Sequence, residues 1–312
     1  LAGRGKVPVG LEFLQPDTVT MFIERAYPTQ LVPNRDNGAQ VAGDIAGGVL
    51  NYTIGIYNGA ADGASRDTDN TDDKDGVARL YATPFLGGEP ALAGLSFGVG
   101  GSYGTDAPTL SGTGAVTSSG LSTYKSPGQA TIFSYIAPAA STLANSTTAD
   151  GSHWRVAPQL YYAFGPFSTM AEYTRSVQEL RFNNIHDTVA NQAWQVSTGW
   201  VFTGENAAFK GVNPSSPLAY DGSAWGALEV VARVHRLDID GTAFSSGFAS
   251  RTLSVEQATG YAVGLNWYLS RQVKLKLDFE HTEFVGGAGT NLATLHDRED
   301  ENLISTQVQL VY

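Results

Sequence analysis

Strict two-residue alternation, held over unusually long segments and repeated along the whole chain, is the feature that most limits how this sequence folds. Between Gln272 and Thr282 the odd positions Val273, Leu275, Leu277 and Phe279 are apolar, and the even positions Gln272, Lys274, Lys276, Asp278, Glu280 and Thr282 are polar. Period two makes this a strand with one wet and one dry face. The pattern returns in Leu50/Tyr52/Ile54/Ile56, in Trp154/Val156/Leu160/Tyr162/Phe164, in Trp194/Val196/Trp200/Phe202 and in Leu228/Val230/Ala232/Val234. It predicts strands at 39–46, 49–58, 76–83, 91–104, 119–125, 130–136, 152–164, 167–180, 188–202, 223–238, 259–269, 272–284 and 300–312. Many of these run to about 10–14 residues, where ordinary strands cluster near five or six. A tilted strand crossing a bilayer needs about 9–11.

The connections supply an independent constraint. Short ones fall at Gly47–Gly48, Pro84–Glu89, Gly165–Pro166 and Ser270–Arg271, and long polar ones at 59–75, 105–118, 137–151, 239–258 and 285–299. Counting strands up and down from the C-terminus puts the short turns at one end and the long loops at the other. Membrane barrels sort their loops in this way, whereas a soluble sandwich has no reason to. Only 203–222 is long on the short-turn side. The reading is therefore an all-β, antiparallel transmembrane barrel, with Val273, Leu275, Leu277 and Phe279 toward lipid and the charged row toward the lumen.

Composition agrees and excludes other classes. Of 312 residues, 36 are Gly, 14 Tyr, 14 Phe and 5 Trp, and 16% are charged, which suits a large sheet and not a disordered chain. The absence of Cys removes disulfides and thiolate chemistry. No apolar run approaches the ~18–20 residues of a transmembrane helix. The first residues, LAGRGKVPVGLE, contain no signal-peptide core and open as if in mid-strand. A net charge of −11 leaves no basic stripe for nucleic acid.

Six stretches together resemble the phosphate-selective porins of the O and P type: GKVPVGLE (5–12), MFIERAYPTQLVPNRDNG (21–38), YYAFGPFSTMAEY (161–173), VSTGWVFTGE (196–205), SAWGALEVVARVHRLDID (223–240) and GLNWYLSRQVKLKLDFEHTEF (264–284). The resemblance implies an outer-membrane porin of a Gram-negative bacterium. It also implies a homotrimer of 16-stranded barrels, of which roughly 12–13 strands are visible here, the N-terminal strands being absent. It further implies a loop folded into the lumen, which here falls at 12–38, and basic residues that guide anions. Partners on this reading are outer-membrane lipid and lipopolysaccharide, with small ions or phosphate as permeants. The C-terminus would lie at the periplasmic side, and Tyr312 resembles the aromatic terminal signal of outer-membrane proteins.

Loop 12–38 carries Arg25 and Arg35 and is preceded by Arg4 and Lys6. Guanidinium forks match phosphate oxygens, so these four form a candidate constriction. The competing reading pairs Arg25 and Arg35 with Glu24 and Asp36, or with wall carboxylates, and leaves them only pinning the loop. Phe13, Leu14, Pro16, Met21, Phe22, Ile23, Pro28 and Pro33 give the loop apolar anchors on the inner wall. The lumen-facing wall adds Arg79, Arg155, Arg233, Lys274 and Lys276 against Asp44, Glu172, Glu229, Asp278 and Glu280. Five against five is no basic ladder, so the reading is passive diffusion of small hydrophilic solutes and ions, with weak anion preference.

The sequence raises four other readings. Asp67, Asp69, Asp72 and Asp73 in RDTDNTDDKD (66–75) offer oxygens to calcium, but the glycine of the helix–loop–helix calcium loop is missing from its place, and an acidic loop tip explains them. The five histidines show no ligand spacing, so no metal or cofactor is expected. A barrel hydrolase would need an activated nucleophile, and no GxSxG elbow occurs. A plugged, structural or adhesive barrel would satisfy its inward charges against one another.

Overall fold

A computed structural model describes residues 1–67 and 73–311. Its frame is one thirteen-stranded antiparallel sheet made of twelve long wall strands and the two-residue piece His296–Asp297. The wall strands are β1 (Ala2–Lys6), β2 (Arg35–Ile45), β3 (Leu50–Tyr57), β4 (Asp75–Ala82), β5 (Ser96–Asp106), β6 (Thr147–Phe164), β7 (Phe167–Phe182), β8 (Ile185–Val201), β9 (Ala227–Asp238), β10 (Val255–Tyr268), β11 (Val273–Ala288) and β12 (Glu301–Leu310). Each pairs with its neighbours in sequence, and β1 and β12 are not paired with each other among the described residues. The longest, β6, has 18 residues, and β8 has 17. No helix among the described residues is long and apolar enough to cross a membrane.

The two faces fall as the alternation predicts. On β11, Lys274, Lys276, Asp278, Glu280 and Thr282 are buried, while Leu277 is 48% and Phe279 43% exposed. Ile304, Val308 and Leu310 stand barer still on β12, as do Ile54 and Ile56 on β3. A protein with its polar face inside and its apolar face outside has its solvents inverted, which fits lipid around it. Large aromatics crowd the outer face at the short-turn end, where Phe164, Trp200, Phe202 and Trp225 are exposed and Trp267 Nε1 donates to the Trp225 carbonyl (2.7 Å). Such a girdle places amphipathic rings at a membrane interface.

The expected strands 119–125 and 130–136 are not part of the wall. They shrink to the hairpin Tyr124–Lys125/Thr131–Phe133 within the single connection 107–146. Tyr124, Ile132 and Phe133 are instead buried inside, packed with Phe244 and Phe248 against Leu180, Val189 and Leu237 of the wall. Alternation cannot distinguish a hairpin lying on the inner wall from one that belongs to it. Removing two strands leaves the up–down parity unchanged, so the side of every other connection survives the correction. Three connections break that sorting: 202–226 and 83–95, the latter expected as a short turn at Pro84–Glu89, are long on the short-turn side, and Asn183–Asn184 is tight on the other. Asn183 sits at φ 55°, and Gly165 at φ 54° in the opposite turn, the left-handed backbone that two-residue hairpins require.

Candidate functional site

The connection from β1 to β2, residues 7–34, leaves the long-loop end and lies inside against the polar face of the wall. It holds a four-residue helix, Leu11–Leu14, and a 3-10 turn, Tyr27–Leu31. Irregular backbone carries unpaired N–H and C=O groups, and burying it demands a partner for each. The wall supplies them. Glu172 accepts the N–H groups of Leu11 (2.6 Å) and Glu12 (3.3 Å), and Asp278 accepts that of Ile23 (2.7 Å). Lys274 donates to the Thr20 carbonyl (3.2 Å), and Lys276 to the Phe22 carbonyl (2.8 Å) and Thr20 hydroxyl (3.1 Å). Asn266 donates to the Met21 carbonyl (3.0 Å) and Arg233 to that of Glu24 (2.8 Å). The guanidinium of Arg233 also covers the Phe22 ring at 4.3 Å and pairs with Glu280 at 2.8 Å.

The fit is close. A Cβ on Gly10 would lie 2.8 Å from Val32 and 3.1 Å from the Glu172 carboxylate, so only glycine lets this backbone reach the wall there. Glu12, on the segment itself, accepts from the Ala26 N–H (3.0 Å) and from Gln195 (2.9 Å). Further along the sheet, Arg79 donates to Gln159 (3.0 Å), whose amide in turn donates to the Val9 carbonyl. Glu229 accepts from Asn266 (3.0 Å) and Tyr268 (2.8 Å). Arg155 pairs with Asp62 (2.6 Å) and Asp75 (3.3 Å), tying the 58–74 connection inward.

Nine of the ten wall positions thus do not line water, which differs from what alternation suggests. Arg233, Lys274, Lys276, Glu172, Asp278 and Glu280 point inward and hold the segment or one another, whereas Arg79, Arg155 and Glu229 point inward and bond other side chains of the wall and of the 58–74 connection. Asp44, near the short-turn end of β2, remains exposed. The apolar anchors contribute less than expected, since Pro16 is exposed and Leu14 and Ile23 are only half-buried.

The other side of the segment carries the cations. Lys6 Nζ (2.6 Å) and Arg25 Nη2 (3.0 Å) donate to one carbonyl, that of Gln15. Arg35 is the register partner of Lys6 across β1 and β2, is exposed, and has no side-chain partner among the described residues. Arg25 also donates to the Glu12 carbonyl, lies 5.5 Å from the Phe13 ring centre and pairs with Asp17 at 2.6 Å. Its partner is not Glu24, whose carboxylate accepts from Gln129 (2.8 Å). Nor does Arg35 pair with Asp36, which accepts the N–H groups of Asn37 (2.7 Å) and Ala60 (3.0 Å). Arg4 stands apart, paired with Asp67 at 2.5 Å. Of the proposed calcium oxygens, Asp73 accepts from Thr105 (2.7 Å), and Asp69 and Asp72 lie outside the described residues, as does Tyr312. No cluster of metal-ligating side chains occurs among the described residues.

Between the segment and the inward hairpin lies a cleft of about 680 Å3 lined by Glu24, Arg25, Thr29, Asn34, Lys125 and Gln129, among others. Gln30 bridges its sides, donating to the Lys125 carbonyl (2.7 Å) and accepting the Lys125 N–H (2.7 Å). Burial pushes the Glu24 carboxyl above its usual range, although the Gln129 amide opposes the shift.

The model of the family described as phosphate-selective porin O and P matches residues 1–312. The chain belongs to this family. Among solved structures, the porin chain is similar to the outer membrane channel DcaP of Acinetobacter baumannii, at 10% identity and a TM-score of 0.54, over 98% of this chain and 70% of that one. A loop-deletion mutant of OmpT, an outer membrane protein of Vibrio cholerae, matches at 10% identity and a TM-score of 0.51, over 99% and 74%. These likenesses concern the fold. The chain spans 62% of the length of a third structure, a porin matched at 10% identity with a TM-score of 0.41. No protein of curated function matches the chain.

Proposed function

We propose that this porin is a passive channel of an outer membrane, carrying small hydrophilic solutes and ions with a weak preference for anions and no tight hold on phosphate. The observation that carries the reading is the convergence of Lys6 and Arg25 on the Gln15 carbonyl. Most wall charges are engaged by the inner segment or by other side chains, so these cations set the potential along the remaining aqueous path. Asp17 and Glu24 beside them, and acidic loop residues such as Asp67 and Asp73, weaken that preference. Phosphate as a permeant, a homotrimeric assembly, contacts with lipid and lipopolysaccharide, and a periplasmic C-terminus belong to the same proposal.

The second reading, a plugged scaffold, draws on the same inner segment and on the hairpin packed above it. Liposome swelling separates the two. Entry of small neutral sugars and of small anions into vesicles holding folded protein supports the channel; vesicles as tight as protein-free ones support the plug. Ester or peptide turnover by the same vesicles, lost on changing one Ser or His, would replace both with a barrel hydrolase.

A further inference from the structure

We infer that the inner side of the wall, at its short-turn end, holds a binding site for a small monocarboxylate with an apolar body, built on Arg79 and the rings of Tyr81, Tyr161 and Phe209. A cavity of about 490 Å3 lies there, lined also by Leu11 and Leu14. Small-molecule sites share this size, with mostly apolar walls and a few placed polar groups.

The sides of the cavity come from separate elements. Arg79 and Tyr81 stand two residues apart on β4, so both point inward. The guanidinium lies 4.3 Å from the centre of the Tyr81 ring. Tyr81 pairs in register with Gly98 of β5, where a Cβ would sit 2.7 Å from that ring, so glycine lets the ring lie against the sheet. Leu11 of the inner segment packs with Tyr161 of β6, and Tyr81 and Phe209 close around them. Phe209 belongs to 202–226, one of the two connections that are long on the short-turn side. That connection is tied to the Gly165 carbonyl by the Ala207 N–H (2.8 Å) and to the inner segment by Gln15, which donates to the Phe209 carbonyl (3.0 Å). The Phe209 and Tyr161 rings then meet edge-on with centres 5.2 Å apart. The extra length of the connection thus closes the cavity.

Arg79 decides the charge of the ligand. It is half-buried, and its Nε donates to Gln159 (3.0 Å). Among the described residues no carboxylate pairs with it, and neither terminal nitrogen has a hydrogen-bond partner. A half-buried guanidinium without a counter-ion draws an anion, and its fork matches a carboxylate. Neither a second cation nor an acid lines the cavity, so one negative charge balances it. The rings and leucines take up the apolar body, which inorganic phosphate lacks. As a halting point for a permeant the site rests on the pore reading above; as a binding site it does not.

The test is a ligand-detected NMR titration of the detergent-folded protein. Sodium benzoate is the probe, acetate supplies the charge without the body, benzamide the body without the charge, and empty micelles the blank. Migration on unheated gels confirms that each protein is folded. Benzoate is expected to saturate with a Kd of about 1 mM, the range its few heavy atoms allow. Acetate and benzamide are expected to bind roughly tenfold more weakly, or less than that. Arg79→Gln is expected to weaken benzoate roughly tenfold, Arg79→Lys less because it keeps the charge and loses the fork, and Phe209→Ala roughly threefold to tenfold. Phe209 lies outside the wall strands, so Phe209→Ala and the ligand series still decide the matter should Arg79→Gln not fold. Binding unchanged in both Arg79→Gln and Phe209→Ala, no saturation by the parent, or acetate held as tightly as benzoate overturns the inference. Ion steps in planar bilayers without saturable benzoate binding overturn it and leave the pore reading standing. Benzoate binding without ion steps removes the pore reading and keeps the site.

Discussion

His235 Nδ1 accepts the backbone N–H of Tyr27 at 3.1 Å while its ring stacks on the Tyr27 ring at 4.4 Å. The proton must then sit on Nε2, which lies 2.6 Å from Glu280. Wall and segment are joined here by a histidine held in one tautomer by partners on both sides. His235→Phe keeps a ring for the stack and removes both hydrogen bonds. It is expected to cost about 1–3 kcal/mol, because a buried N–H and a carboxylate each lose a partner. Urea titration of the folded protein in vesicles measures this, and a cost near zero would show that the segment is not anchored at Tyr27.

The assignment of faces predicts a large asymmetry between two substitutions to arginine. Leu277→Arg puts a charge on the bare outer face of β11 and is expected to cost roughly 2–4 kcal/mol. Asp44→Arg, at an exposed position on the inner side of β2, is expected to lie within about 0.5 kcal/mol of the parent. Folding yield in lipid vesicles reports both. Asp278→Asn is not the harmless control that alternation alone suggests, because that carboxylate holds the Ile23 N–H.

Arg155 is buried between Asp62 and Asp75, and Asp75 is also met by His153 at 2.8 Å. Arg155→Met leaves two buried carboxylates without their cation and is expected to cost about 3–5 kcal/mol. Adding Asp62→Asn and Asp75→Asn to it should recover much of that loss. A triple variant as unstable as the single one would contradict the charge explanation.

The hydrogen bond from Arg25 holds the Asp17 carboxyl below its usual range, against the opposing effect of partial burial. A depressed value keeps the carboxylate charged at every pH above the ordinary Asp range, and its contribution is lost only as pH falls below that range. Selectivity is therefore expected to stay flat between about pH 5 and pH 8, as read from zero-current potentials. A shift within that window would point to another titrating group in the path.

The frame was legible because a membrane strand must alternate on every turn of its length, and β11 shows this from Val273 to Thr282. The site was legible only in part. Lys6 and Arg25 stand out in an acidic chain and meet at the Gln15 carbonyl, while Arg35 lies on the strand face of Val41 and Ile45, opposite buried Asp36. The wall charges did not declare their work, because Lys274 or Glu172 facing water and Lys274 or Glu172 facing a backbone carbonyl or N–H leave the same letter in the sequence. The inner hairpin was read as wall because Tyr124, Ile132 and Phe133 are apolar and β-favouring wherever they pack. Glu12, Gln195 and His235 were missed for a related reason: they have partners far away along the chain. The one local signal was the run of N–H and C=O groups in 7–34 that a buried, irregular segment must satisfy.

The claim that Lys6 and Arg25 face the conducting path is tested most directly by the zero-current potential of the unaltered protein in a salt gradient, repeated with phosphate added. The account predicts ion steps, a small potential of the sign set by chloride, and chloride current unaffected by micromolar phosphate. A strong cation preference would mean that Lys6 and Arg25 do not face the path, and block by micromolar phosphate would mean that they hold the anion tightly.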